Sequence, residues 1–508
     1  MAAALRLTEL MTQTSDIGGY DGNALAGLEN IEITGLTADS RAARSGYLFA
    51  ALPGQKATGV DFIADAAGRG AVAVLGPIGT RLNAAFSNLT LIEDSLPRRR
   101  FARMAAAFYG AQPQTMVAVT GTSGKSSTVS FARQLWKHLG HDAASIGTIG
   151  IESDHFTRYG TLTTADPVEL HADLAKLAHE GVTHAAMEAS SHGLDQYRLD
   201  GVKLRAAGFT SFGRDHLDYH ATSEDYLEAK LRLFTEILGP DGIAVLNADI
   251  LEFNRICAAA EQAGHPILSY GERGRQIRIV SRTADSAGQL ATIEVFGRRY
   301  DIELKLAGGF QLMNALCALG LVIASTFKDL SEPAHSEAQV GRMVGGLTHL
   351  QGVRGRLELV ARLPNGAAIY VDYAHKPDAL VAILEALRHH TAGKLVVVFG
   401  CGGDRDAGKR PLMGEIASRL ADRVIVTDDN PRSEKPAAIR AAILARAPHA
   451  LEIGDRADAI VTAIRELDAG DVLVIAGKGH EQGQIIGRNV YPFDDAVVAR
   501  ACAAGVQP

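Results

Sequence analysis

Seven times between residues 116 and 481, a short apolar run of strand type stops at a polar, glycine-rich cluster. The runs MVAVT, THAAMEAS, AAGFTSF, AAIYVDY, KLVVVFG, DRVIVTD and DVLVIAG lead into TGTSGKSS, MEASSHGLDQ, GRDHLDYH, DYAHKPD, GCGGDRD, DDNPRSE and GKGHE. Such runs, separated by helical segments, predict parallel strands of doubly wound α/β sheets. In these sheets ligands bind beyond the carboxyl ends of the strands, which is where all seven clusters fall. One cluster alone reads as an ordinary loop; seven exceed what turn chemistry needs.

The chain has 508 residues, too many for a single core. Pattern breaks predict three domains, at 1–95, 96–352 and 353–508. The first carries short strands at 47–52 and 71–76 around the turn-rich PGQKATG. The second opens with a helix at 98–110 and includes a strand at 242–247. It also holds a helix at 223–239, for which Ser223 is the expected N-cap. The third starts near 352–360 and has helices at 376–390, 435–447 and 456–467.

With 58 acidic against 51 basic residues, the net charge is −7, which argues against a nucleic-acid partner. Cys257, Cys317, Cys401 and Cys502 form no CxxC pair, so neither a zinc site nor a disulfide framework is expected. Arg6 and Glu9 interrupt the apolar N-terminus, and no signal-peptide core forms. The most apolar stretch, at 315–324, is about half a membrane span. These features predict a cytoplasmic protein with no membrane insertion.

The segment VAVTGTSGKSST at 117–128 reads as strand, glycine loop and helix. Gly121 and Gly124 let backbone amides, with Thr122 and Ser123 between them, face a phosphate at a helix N-terminus. Lys125 would reach the β- and γ-phosphates of ATP, and the Ser126 hydroxyl, followed by Ser127, would hold Mg²⁺. Position 119 is Val, so this is a shorter TGTxGKS variant of the phosphate loop. Its alternative is a glycine turn capping a helix. Glu188 ends a buried strand where such enzymes keep an acid for magnesium; a buried ion pair is the alternative. Asp215, His216, Asp218 and His220 suit magnesium better than zinc, and His220 also reads as a structural histidine. Lys230 lies mid-helix on the face of Leu227 and Phe234, and by itself reads as a salt-bridged surface lysine. Arg432, in the turn Asp429-Asn430-Pro431-Arg432, can grip a carboxylate with two parallel bonds.

These clusters, from DSR at 39–41 to GKGHE at 477–481, resemble the Mur ligase family of peptidoglycan synthesis. The resemblance is to the branch that adds diaminopimelate to UDP-N-acetylmuramoyl-L-alanyl-D-glutamate. It implies an N-terminal domain for the uridine nucleotide, a central P-loop-type ATPase domain and a C-terminal Rossmann-like domain that brings the amino acid. Ser40, Gln55, Lys56 and Ala57 would contact the UDP end, and Thr163, Thr164, Ser190, Gln196 and Arg198 the muramoyl-dipeptide. ATP would lie on 121–127 with Asn314, Arg356 and Asp372. Arg405, Asp429, Asn430, Pro431, Arg432, Gly477 and Glu481 would hold meso-diaminopimelate. Lys230 matches a lysine carbamylated in the family, and the carbamate would join Ser126, Glu188 and His216 as a magnesium ligand. Lys125, Glu188, His216 and Lys230 are thus the expected catalytic set. A monomer is expected. The chain departs from the family pattern in Ser123, Ser126 and Ser127, after the two threonines of LTTADP, in Gln311, and in lacking a proline before the glycine of GVRGRLE.

Two other functions compete. One is a related ligase, such as a folylpolyglutamate synthetase or a different stem-peptide step, against which DNPR and the Ser40 region speak. The other is a nucleotide-driven switch, which would not need Arg405, Arg432 and Glu481 to converge.

Overall fold

Runs rich in valine, isoleucine and alanine can be buried on both faces only in a sheet covered on both sides, and the chain is built from such sheets. A computed structural model describes residues 4–14, 28, 30–54, 58–86, 88–160, 162–216, 219–284 and 288–506. These residues group into two compact units. One comprises Met1–Lys125, Trp136–Ser269 and Gly320–Pro333; the other comprises Ser126–Leu135, Tyr270–Leu319 and Ala334–Pro508.

In the first unit, strands Gly35–Thr37, Tyr47–Ala50, Ala73–Pro77 and Thr90–Asp94 pair in that order, all parallel. Helix Pro97–Tyr109, with proline at its first turn, buries Phe101, Met104 and Phe108 in the same core as Leu48, Ala73 and Ile92. A second parallel set runs Ala143–Gly147, His184–Glu188, Thr115–Thr120, Leu204–Phe209, Leu238–Asn247. Register pairs Glu188 with Val119 and Phe209 with Thr120. Three of the glycine-rich clusters therefore leave the carboxyl ends of the three middle strands of this set.

In the second unit, strands Ala368–Asp372, Val472–Ala476, Leu395–Phe399 and Arg423–Val426 are parallel neighbours in that order. Helices Pro377–Arg388, Lys409–Leu420 and Pro436–Leu444 pack on one face. Arg456–Arg465 and Asp495–Ala503 pack on the other. The Val472–Ala476 strand is reached over the face opposite to that crossed to reach its neighbour Leu395–Phe399, which opens a crevice at the strand carboxyl ends. The other four clusters line it.

The strand–helix alternation is as expected, but two local expectations fail. The N-cap of helix Ser223–Arg232 is Thr222, not Ser223: its hydroxyl accepts from Asp225 N–H, and Asp225 caps it back. Threonine three residues before an acid is capping-box spacing, which leaves Ser223 as the first helical residue. The helix also ends earlier, in a π-helical turn Leu233–Ile237 that passes into strand. An antiparallel meander, Ile277–Ala284, Gln289–Val295 and Arg298–Leu304, adds to the expected elements. Phe296 (φ 48°) and Gly297 (φ 81°) form its two-residue turn. Among the described residues one helix, Gly309–Thr326, is long and apolar enough to cross a membrane, and 72% of it is buried inside the protein.

Candidate active site

The first unit carries the phosphate loop. Strand Thr115–Thr120 is buried along nearly its whole length, and helix Lys125–His138 starts at the loop's lysine. Gly121 (φ 139°) and Gly124 (φ 91°) are in backbone conformations that side chains rarely adopt. A Cβ on Gly121 would lie 2.1 Å from Thr210 Oγ1. The loop is pinned from below: Thr122 N–H donates to Ser211 O at 2.8 Å and Ser123 N–H to Ser211 Oγ at 2.9 Å. Lys125 Nζ arches back to donate to Gly121 O at 2.9 Å and Thr122 O at 3.0 Å.

Lys230 belongs to the same cluster. It is 1% exposed, donates to Gly121 O at 3.0 Å, and stands 4.3 Å over the Tyr226 ring. The reading as a surface lysine is thus overturned, because Tyr226, Leu227, Lys230 and Phe234 share one helical face that is buried throughout. Burial first, and the charge of Lys125 second, pull its basicity well below that of an ordinary lysine. His216 sits in the left-handed region (φ 52°), with its N–H on Asp215 Oδ1 at 2.8 Å and its ring 4.8 Å from that of His192. Leu217 and Asp218 lie outside the described residues, as do Gln55, Lys56 and Ala57.

Glu188, 2% exposed, is held by a residue the sequence did not single out. Thr148 N–H donates to Glu188 Oε1 at 2.9 Å and the Thr148 hydroxyl to Oε2 at 3.1 Å. Thr148 Oγ1 also meets Thr163 Oγ1 at 3.0 Å, so the acid and a candidate substrate residue share one partner. Thr164 Oγ1 donates to Glu188 O at 3.1 Å and lies 3.0 Å from Ser190 Oγ, which caps helix Ser191–Asp195. Arg198 donates to Thr164 O at 2.7 Å and Gln196 Oε1 at 2.8 Å, and Gln196 donates to Tyr219 OH at 3.1 Å. Among the described residues no hydrogen bond joins Glu188 to Lys230, and no three His, Cys, Asp or Glu side chains form a metal cluster. Ser40 is buried in the N-terminal turn with its hydroxyl on Asp65.

In the second unit, Ser126, Ser127 and Asn314 are buried. Arg356 donates to Ser126 Oγ at 3.3 Å and stacks 4.7 Å from the Tyr373 ring. Gln311 donates to Arg356 O at 3.2 Å and accepts from Asn314 at 3.1 Å, so Arg356, Gln311 and Asn314 form one chain of contacts. Asp372 accepts from Leu357 N–H at 2.6 Å and Ala374 N–H at 2.7 Å. Burial pushes its carboxyl up to about 6, partly opposed by Arg356.

At the next strand ends, Gly402 and Gly403 admit the Asn430–Pro431–Arg432 backbone. A Cβ on Gly403 would fall 2.0 Å from Pro431 O, and one on Gly402 2.8 Å from Arg432 Nη1 and 3.9 Å from Arg405 Cγ. Arg432 (φ 51°) donates to Gly403 O at 2.9 Å. Asn430 donates to Glu481 Oε2 at 2.9 Å, and a Cβ on Gly477 would stand 3.2 Å from Asp429 Oδ2. Lys478, absent from the expected set, is fully buried among Asp429, Asn430 and Glu481. Both cations and acids are therefore present at these strand ends.

Three models of the Mur ligase family match in succession: the catalytic domain at residues 32–109, the middle domain at 119–322 and the glutamate ligase domain at 355–479. A Rhizobium meliloti (strain 1021) protein named UDP-N-acetylmuramoyl-L-alanyl-D-glutamate--2,6-diaminopimelate ligase is 53% identical, covering 94% of this chain and 95% of its own. A protein of the same name from Bradyrhizobium diazoefficiens is 51% identical, covering 97% and 99%. A solved structure titled as that ligase superposes with a TM-score of 0.69 at 31% identity, covering 99% of each chain. With an α/β architecture, three successive family domains and half-identical relatives along nearly its whole length, the chain belongs to the Mur ligase family.

Proposed function

We propose that this protein is an ATP-dependent ligase that joins meso-diaminopimelate to the D-glutamate γ-carboxylate of UDP-N-acetylmuramoyl-L-alanyl-D-glutamate, acting as a cytoplasmic monomer with domains at 1–95, 96–352 and 353–508. The observation that carries this reading is the cluster of Arg432, Arg405, Asn430 and Glu481 at the strand ends of the second unit. A nucleotide switch has no use for a paired anion and cation site there. A ligase needs one to present an amine.

The chemistry follows from charge. The γ-carboxylate must attack the γ-phosphate of ATP, and both are anions. Lys125, held over the loop by two carbonyls, offers positive charge to the transferred phosphoryl. The fit to magnesium rests on the chemistry of the donors in the first unit: a buried carboxylate on Glu188, an imidazole on His216, and a lysine whose depressed basicity leaves a nucleophilic amine for carbon dioxide. With Lys230 as a carbamate these are mainly hard oxygen ligands, which suit magnesium. Bound there, magnesium supplies neutralisation of the phosphate charge. Thr163, Thr164, Ser190, Gln196 and Arg198 orient the dipeptide, and Asn314, Arg356 and Asp372 the nucleotide. Transfer releases ADP and leaves an acyl phosphate. The unprotonated amine of the incoming amino acid then attacks its carbonyl carbon, phosphate leaves with the bonding pair, and the proton lost from nitrogen passes to the released phosphate as the amide forms.

Arg432 reads the second carboxylate that distinguishes diaminopimelate from L-lysine, and such a group left unpaired can discriminate by roughly 10⁴. The test is phosphate release with the UDP-muramoyl-dipeptide, omitting ATP, Mg²⁺ and diaminopimelate in turn, then supplying L-lysine. Release that ignores the muramoyl substrate rejects the ligase, and equal use of L-lysine rejects the specificity.

A further inference from the structure

The turn after strand Val472–Ala476 is built to bury a lysine. Gly477 (φ 112°) and Gly479 (φ 55°) flank it, and a Cβ on Gly479 would lie 2.7 Å from Tyr373 Cβ and 2.8 Å from Gly355 O. Lys478 between them points inward with 0% exposure. Its Nζ donates to Asn430 Oδ1 at 3.0 Å and to Glu481 Oε2 at 2.9 Å, and lies 3.6 Å from Asp429 Oδ1.

The amide of Asn430 has two possible orientations, and these contacts permit one. Its Oδ1 accepts from Lys478 Nζ and also from Ile485 N–H at 2.9 Å. Reversed, the amide would set its NH₂ against two donors. The nitrogen is thereby turned to Glu481, where Nδ2 donates to Oε2 at 2.9 Å. Oε2 of Glu481 takes bonds from both Asn430 and Lys478, and Oε1 takes none among the described residues. The Glu481 side chain is 33% exposed, which leaves this second oxygen available to accept from a ligand.

We infer that Lys478 is a positioning residue for amino-acid recognition: it sets the sense of the Asn430 amide and the rotamer of Glu481, so that Glu481 Oε1 meets the ammonium of the incoming amino acid. The inference rests on the proposed function of this crevice. Lys478 touches no substrate; it acts through Asn430 and Glu481.

The test compares wild type, Lys478→Met, Glu481→Gln and the double variant in steady-state assays of ADP formation, with thermal melting of each. Lys478→Met should raise the KM for diaminopimelate by about tenfold or more, as outer partners of binding groups do. The KM values for ATP and the UDP-muramoyl-dipeptide should stay within about twofold, and the preference over L-lysine, which carries the same ammonium, should hold. The double variant should be no worse than Glu481→Gln alone. If Lys478→Met does not fold, the double variant, which also removes the unpaired carboxylate, is compared with Glu481→Gln instead. Unchanged KM for diaminopimelate, an equal rise in all three KM values, or losses that multiply in the double variant would each overturn the inference. A wild-type enzyme that forms no ADP with diaminopimelate overturns the functional reading itself, and this shows before any variant is made.

Discussion

Lys230 Nζ and Lys125 Nζ donate to the same oxygen, the carbonyl of Gly121, at 3.0 and 2.9 Å. Two ammonium groups converging on one buried oxygen repel, and Lys230, the more deeply buried, is the one whose proton is destabilised. An unprotonated amine is the form that adds carbon dioxide. Labelled bicarbonate should therefore mark Lys230 and leave Lys230→Ala unmarked, and that variant should lose at least about 100-fold in kcat. In CO₂-free buffer the depressed proton affinity has a stability consequence. The unfolded chain binds a proton that the folded chain rejects, so the lysine costs stability below its ordinary value of 10.5. The melting temperature of Lys230→Met relative to wild type should be highest near neutral pH and decline as pH rises toward 10.5.

Thr148 orients both oxygens of Glu188, one through its N–H and one through its hydroxyl. Thr148→Val keeps the shape and removes the hydroxyl bond. Activity titrated with Mg²⁺ should show a weakening of about 10–100-fold, and Thr148→Ser should restore most of it.

Arg432→Lys keeps the charge and loses the planar fork. We expect kcat/KM for diaminopimelate to fall about 100-fold while that for L-lysine changes little, which compresses the ratio between them. Equal losses on both amino acids would count against a carboxylate-reading role.

The Asp372 carboxyl, raised to about 6 by burial, gives a pH signature. Above that value it is ionised and, in the proposed role, would accept nucleotide hydroxyls; below it, protonation would remove an acceptor. The KM for ATP should rise as pH falls through about 6, and Asp372→Asn should flatten that limb. For stability the sign is opposite to that of a paired acid. The folded state keeps a proton that the unfolded state has lost between 3.8 and about 6, so the carboxyl's contribution weakens as pH rises through this window.

The cap at Thr222 is separable from chemistry. Thr222→Ala should cost about 1 kcal/mol in denaturant unfolding, and Ser223→Ala, one residue on, only a few tenths. A larger effect at Ser223 would place the helix start where the spacing of polar residues alone suggests.

Much of the fold was legible because its signals are local. Valine- and isoleucine-rich runs of five or six residues, such as Leu395–Phe399, can be satisfied only as buried strands, and the helical period between them announces the crossovers. The meander at residues 277–304 was less visible, since its signal lies in the Phe296–Gly297 turn rather than in a helix between strands. The phosphate loop, Glu188, Asn430 and Arg432 could be named from the chain because each stands at the end of a strand.

Depth and partnership were not legible in the same way. Lys230 was readable as lying on an apolar helix face, but its burial depends on Gly121, 109 positions away in the chain. The roles of Thr148 beside Glu188 and of Lys478 beneath Asn430 depend likewise on pairings across 40 and 48 residues. Sequence period reports which side of an element is apolar, because that is a property of neighbouring residues. Whether a cation on that side meets water, a carbonyl or another cation depends on which distant backbone closes over it. For the glycine-rich loop, residue order announced a place for phosphate, and tertiary packing put a second, reluctant base on the same carbonyl.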